Sequence, residues 1–259
     1  MKVPFLEYRA ALAYNRGVFF IEHSDLVKTF IATDANFPAL VELPRTRRDS
    51  EGNSHVSPVP LLLLLRRQAH TAFDVLSADQ SHQAWLLLRP GLEAALILGK
   101  RVDDPENATI WQNREKNRAA YRKVYTGKAL QSASLPGSDR IQMVLSRIND
   151  RFVHANIDYY HRHLDVGPGT PGHVSVLLNY FEDDPLQLAN VLAFLHLLLV
   201  VQDALLGLFN KLFATQASLP SPLKLFEDTF GERLGELTRE KSEYSTVLTE
   251  LGAYSLPDA

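Results

Sequence analysis

Leu186 to Phe213 is the stretch that most restricts what this chain can become, since it runs through Leu, Val, Ala and Phe with few breaks. As a helix it is long enough to span a bilayer, and a helix apolar on nearly every side belongs either in lipid or in a protein interior. Gln187, Asn190, His196, Gln202, Asp203 and Asn210 interrupt it. An Asp near the middle of a span costs roughly 2.5 to 3.5 kcal/mol even on the lenient insertion scale. The expectation is therefore a central core helix over 185–214, with no membrane partner, whose surplus apolar surface is shared with a second copy in a homodimer.

The rest of the chain can supply such a core. Of its 259 residues 46% are hydrophobic, and the net charge of −3 is far from the range of disordered chains. It contains no Cys, which excludes a disulfide scaffold, an iron-sulfur cluster, a thiolate zinc site and a cysteine nucleophile. That composition fits a reducing compartment, and charges within Met1 to Arg9 break the apolar run that a secretory leader needs. A cytoplasmic protein with no cofactor is expected.

A capping residue followed at once by Pro recurs at Ser57-Pro58, Asp104-Pro105, Asp184-Pro185 and Ser221-Pro222. Pro suits the first helical position, where its missing N–H has no partner to lose, while the Ser or Asp oxygen accepts from the next turn. Ser77 and Gln80 have the spacing of a capping box ahead of Trp85 to Leu88. These starts predict helices over 58–76, 79–101, 105–126, 138–164, 185–214 and 222–251, with Gly127 as a C-terminal cap. No alternating series calls for a sheet. The class is all-α, a bundle of about six or seven helices. Residues 58–259 form its body, and 1–57 an N-terminal helical appendage and polar loop, with Phe19 to Ile21 a candidate short strand.

Several polar constellations invite chemistry. On the 138–164 helix, Arg147, His154, Asp158, His161 and Asp165 share one face opposite Ile141, Val144, Leu145, Ile148, Phe152 and Tyr159. That face reads as a solvated surface, as a metal shell of His154, Asp158 and His161, or as an acid/base site with Arg147 stabilising developing charge near His154. Arg66, Arg67 and His70 lie on one helix, and Arg89 and Glu93 on the next, where Pro90 predicts a kink. The Arg89 and Glu93 pair is either a brace or, with His70 or His154 as partner to a desolvated carboxylate, part of a ligand site. Arg114, Arg118 and Arg122 align beside Trp111, Tyr121 and Tyr125, a combination suited to phosphate forks and base stacking and hence to RNA, or else an ordinary charged face. Charge is uneven: residues 1–130 hold 18 Lys plus Arg against 14 Asp plus Glu, and residues 131–259 hold 9 against 16. Phosphate-loop, dinucleotide, nucleophile-elbow and zincin motifs are absent.

The segment Leu86 to Ala94, with Arg67-x-x-His70 before it and Asp104-Pro105 and Phe152-Val-His154 after it, resembles bacterial all-helical domain families of undefined function. The resemblance spans roughly 60–215 and implies a helical bundle without an assigned activity. More weakly, the chain is similar to HEPN domains, many of which are metal-independent ribonucleases using an Arg and a His a few residues apart. Arg147 and His154 carry that spacing, and Ile148 stands where the family usually places a polar residue. The similarity implies that His154 moves the proton and Arg147 holds the phosphate. Three functions remain open: a non-catalytic binding module using His70, Arg89, Glu93 and His154 for an unknown small ligand, a HEPN-like ribonuclease, and a metal-binding bundle.

Overall fold

The computed structural model describes residues 4–48, 58–153, 164–168, 174–178 and 184–255. It is an all-α bundle. Three N-terminal helices, α1 (Pro4–Glu22), α2 (Ser24–Asp34) and α3 (Asn36–Thr46), precede a hairpin of α4 (Val59–Leu76) and α5 (Ser81–Asp103). Two short helices, α6 (Pro105–Gln112) and α7 (Arg118–Tyr125), lead through a 3-10 turn at Gly127–Leu130 to α8 (Ser138–Ile148), which ends in a π turn at Asn149–Val153. The last helices are α9 (Asp184–Phe213), α10 (Leu223–Glu240) and α11 (Ser242–Thr246), the last continuing as a π turn over Val247–Leu251.

Helix α9 is the centre of the bundle. It touches α2, α3, α4, α5, α10, α11 and the final π turn, and Leu192, Leu195, Leu198, Val201, Leu205 and Phe209 are fully enclosed. Among the described residues it is the one helix with the length and composition to cross a membrane, and it is mostly buried inside the fold. Its buried polar residues are each tied to another element. Trp85 Nε1 donates to Asn190 Oδ1 at 2.8 Å, and Gln187 Nε2 to the Leu76 carbonyl oxygen at 3.3 Å. Asn36 Nδ2 donates to Gln202 Oε1 at 2.7 Å and to the Ser221 carbonyl oxygen at 2.8 Å, while Ser221 N–H returns to Asn36 Oδ1 at 2.9 Å. Buried polar groups are tolerated only when bonded in this way, so these residues join helices without leaving the core underpaired.

His196, 1% exposed, uses Nδ1 to donate to the Gly252 carbonyl oxygen at 2.7 Å, and its Nε2 lies 3.3 Å from Glu227 Oε1. This fixes the segment after the final π turn against α9. A Cβ on Gly252 would come within 2.7 Å of Ala193 Cα, so only glycine permits that approach.

The N-terminal helices enter the same core as the body: Leu26 and Leu40 are fully enclosed, and Phe19 and Phe37 nearly so. Phe19 to Ile21 belong to α1 and form no strand, because the whole of 4–22 is helical. Other boundaries shift for local reasons. Ser77 closes α4, its Oγ donating to the Asp74 carbonyl oxygen, and α5 starts only at Ser81 after Asp79 adopts a left-handed φ of 66°, so no capping box forms. Asp104 caps as expected, accepting from Glu106 N–H at 2.8 Å, whereas Ser221 gives its backbone to Asn36. Ser57 lies outside the described residues.

The expected 105–126 helix is split at 113–117, because Asn113 ends α6 and the Asn117 side chain starts α7 by accepting from Ala120 N–H. The 222–251 helix breaks at Lys241, which is extended. Within the expected 138–164 helix, α8 ends at Ile148 in the π turn that runs to Val153, residues 154–163 lie outside the described residues, and Leu164 already belongs to a hairpin of β1 (Leu164–Pro168) antiparallel to β2 (Val174–Leu178), with Asp165 opposite Leu177. Pro168 ends β1, and Val174 and Val176 favour extended backbone. Asp165 therefore shares no helix face with Arg147, and the single polar stripe proposed for that helix does not extend to it.

Candidate functional site

Helix α5 sets Arg89 and Glu93 one turn apart, and their side chains meet at 2.9 Å, each about one third exposed. Arg89 Nε also donates to Asn149 Oδ1 at 2.6 Å, at the start of the π turn that ends α8. A cavity of about 220 Å³ opens beside this pair, between α5, α7, the Gly127–Leu130 turn and α8. Arg89, Glu93, Gln142 and Asn149 supply its polar lining, and Ile97, Leu130, Leu145, Tyr121 and Tyr125 its apolar walls. Gly127, at a φ of +56°, lets the chain turn sharply after α7 and close the cavity. Among the described residues, the enclosed Oε1 of Gln142 has no hydrogen-bond partner.

Helix α7 presents Arg118, Tyr121, Arg122 and Tyr125 at i, i+3, i+4 and i+7, which places all four on one face. Tyr121 and Tyr125 stack at 5.3 Å between centroids. Tyr125 donates its hydroxyl to the Asn107 carbonyl oxygen at 2.6 Å, and burial pushes its pKa up to about 12 despite the nearby Arg101 charge. A second hollow, about 450 Å³, is lined by Arg114, Glu115, Arg118, Tyr121, Arg122 and Thr126. It shares Tyr121 and Thr126 with the cavity. Arg114 is held by stacking over Trp111 at 4.5 Å, with Arg101 over the same ring at 4.7 Å. Glu115 stands near two of the arginines, 4.0 Å from Arg114 and 3.9 Å from Arg118. Arg122 has no ion pair among the described residues.

The other expected residues fall elsewhere. His70 Nε2 lies 2.6 Å from Asp34 Oδ1, and Arg66 grips the same carboxylate with Nε at 2.8 Å and a terminal nitrogen at 2.6 Å. Burial works against ionisation of Asp34, yet the hydrogen bonds from Arg66 and His70 outweigh it and hold the carboxyl below its ordinary value. This cluster joins α2 to α4. Among the described residues no hydrogen bond or ion pair connects it with Arg89 and Glu93, so the structure pairs Arg89 with Glu93 but does not bring His70 to them.

Arg147 Nε lies 3.8 Å from Glu250 Oε2, which Arg151 approaches at 2.8 Å, so a carboxylate already occupies the guanidinium cited for phosphate. His154, Asp158 and His161 lie outside the described residues, and with them the histidine half of the acid/base pair and the whole proposed metal shell. Among the described residues no group of three acidic or imidazole side chains is placed to hold a metal ion.

Two site residues, Gln142 and Asn149, escape a sequence reading that groups polar residues by type. Their signal was the i, i+7 spacing of two amides beside the apolar positions Ile141, Val144, Leu145 and Ile148 of α8. No family model, no curated protein and no solved structure matches the chain.

Proposed function

We propose that the chain is a non-catalytic binding module whose small ligand sits in the cavity between α5, α7 and α8. The observation that carries this reading is the lining: an Arg89 and Glu93 ion pair and two amides, Gln142 and Asn149, converge on one cavity walled by tyrosines. Ligand sites combine apolar walls with a few placed polar groups in this manner. The engagement of Arg147 by Glu250 supports a bracing role for that residue at the end of α8. The lack of Cys supports a reducing compartment such as the cytoplasm. Self-association is supported by Phe5, Leu6, Tyr14 and Ile21, large apolar side chains that α1 leaves exposed; sedimentation velocity tests it.

Saturation-transfer NMR with adenine, cytosine and benzamide tests the binding reading on the full chain. Signal is expected with the natural sequence and with Arg66→Met, which disturbs only the distant Asp34 cluster. It is expected to vanish with Ile97→Phe, which fills the cavity. Equal signal in all three proteins, or none in any, contradicts the reading.

A further inference from the structure

The arginine hollow and the cavity are neighbours, and their shared border identifies the ligand more closely. This step rests on the binding reading just given. Arg118 and Arg122 sit one turn apart on α7, and Arg114 is fixed beside them by its stack on Trp111. Three guanidiniums face one hollow against a single carboxylate, Glu115. Guanidinium forks match the geometry of phosphate oxygens, and a phosphate monoester carries about 1.5 to 2 negative charges near neutrality.

Tyr121 and Thr126 stand on the border, lining both volumes. Tyr121 is stacked on Tyr125, so its ring is held in place there and offers a platform for a planar group. The cavity beyond is about 220 Å³, and a nucleobase displaces roughly four water volumes, on the order of 120 Å³. Its edge carries both kinds of hydrogen-bonding group: carboxylate oxygens on Glu93, a guanidinium on Arg89, and amides on Gln142 and Asn149. Such a mixture suits a heterocycle with its own donors and acceptors. The Gly127–Leu130 turn and α8 wall the cavity, which favours a single nucleotide over a strand that must enter and leave.

We infer that the module binds a nucleoside monophosphate, its base in the α5–α7–α8 cavity against Tyr121 and its phosphate on Arg114, Arg118 and Arg122. The ligand is bound intact and no bond is made or broken.

Calorimetric titration of the full chain at fixed low salt provides the test, with adenosine 5′-monophosphate, cytidine 5′-monophosphate, adenosine, inorganic phosphate and a 12-nucleotide single-stranded RNA as probes. At least one monophosphate is expected to bind about tenfold or more tighter than both adenosine and inorganic phosphate. The double variant Arg118→Ala with Arg122→Ala is expected to remove that advantage while leaving adenosine unchanged. Ile97→Phe is expected to abolish binding of nucleoside and nucleotide alike and to leave weak phosphate binding in place. Monophosphates no tighter than adenosine overturn the phosphate assignment and leave the cavity reading intact. RNA binding that exceeds the monophosphates and survives Ile97→Phe makes the arginine face a polymer contact and overturns the inference. No binding by any probe overturns it together with the reading beneath it.

Discussion

Two sets of polar side chains in this bundle differ in whether the fold encloses them or leaves them bordering open space. Along α9, Asn190, His196 and Gln202 each meet a partner on another element, and Asn36 closes a three-way junction with Gln202 and Ser221. Around α5, α7 and α8, Arg118 and Arg122 face a hollow, the Arg89 and Glu93 pair borders a cavity, and among the described residues Gln142 Oε1 has no partner. The first set is enclosed and fastens helices together, while the second, even where Arg89 reaches Glu93 and Asn149, borders open space. A polar residue in an apolar helix is therefore poor evidence of function until its bonds are counted.

Substitutions can break or sharpen that contrast. The largest effect is expected at the junction: Asn36→Ala strips partners from Gln202 Oε1 and from the Ser221 backbone, and is expected to destabilise by about 3 to 5 kcal/mol in urea unfolding. Gly252→Ala comes next, because the new methyl meets the Ala193 backbone at 2.7 Å, and a loss of about 1 to 3 kcal/mol is expected in the same assay.

His196 supplies the pH dependence. Burial lowers its pKa below the ordinary 6.5; the bonds to Gly252 and Glu227 oppose this without reversing it, and the Arg140 charge adds to the lowering. The unfolded chain therefore takes up this proton first, so the His196 contribution to stability is complete above pH 6.5 and is lost as pH falls below it. Urea midpoints at about pH 7.5 and about pH 5.5 should differ in the natural chain and differ less in His196→Gln.

On the α5–α7–α8 side, stability should move less. Arg89→Met removes a partly exposed ion pair and the bond to Asn149 and is expected to cost no more than about 2 kcal/mol, while cavity binding of adenine in saturation-transfer NMR is lost. The smallest effect is expected from Gln142→Leu, which removes the unpartnered oxygen and is expected to be neutral or stabilising by up to about 1 kcal/mol. A loss of several kcal/mol from either variant would place these residues with the fasteners.

Much of the fold was legible because its signals are local. The apolar run of α9 and the Asp104 cap announce themselves through composition and spacing, and α4 and α5 fall close to their expected ranges. The breaks were not legible, since Asn117 restarts a helix by a side-chain bond that competes with continuation, and the β1–β2 pairing depends on register between two segments. For the site, Arg89 with Glu93 and Arg118 with Arg122 follow from i, i+4 spacing. The meeting of Arg89 with Asn149 across sixty residues does not, and neither does the capture of His70 by Asp34, because both depend on how helices pack.

The central claim is that the polar groups around α5, α7 and α8 are the ones that receive a ligand. Amide-resolved NMR titration of the full chain with adenosine 5′-monophosphate addresses it directly. Saturable shifts are expected, confined to the residues around Arg89 to Ile97, Arg114 to Leu130 and Gln142 to Asn149. Shifts centred on Asp34, Arg66 and His70, or on His196 and Glu227, with silence around the cavity, would contradict it.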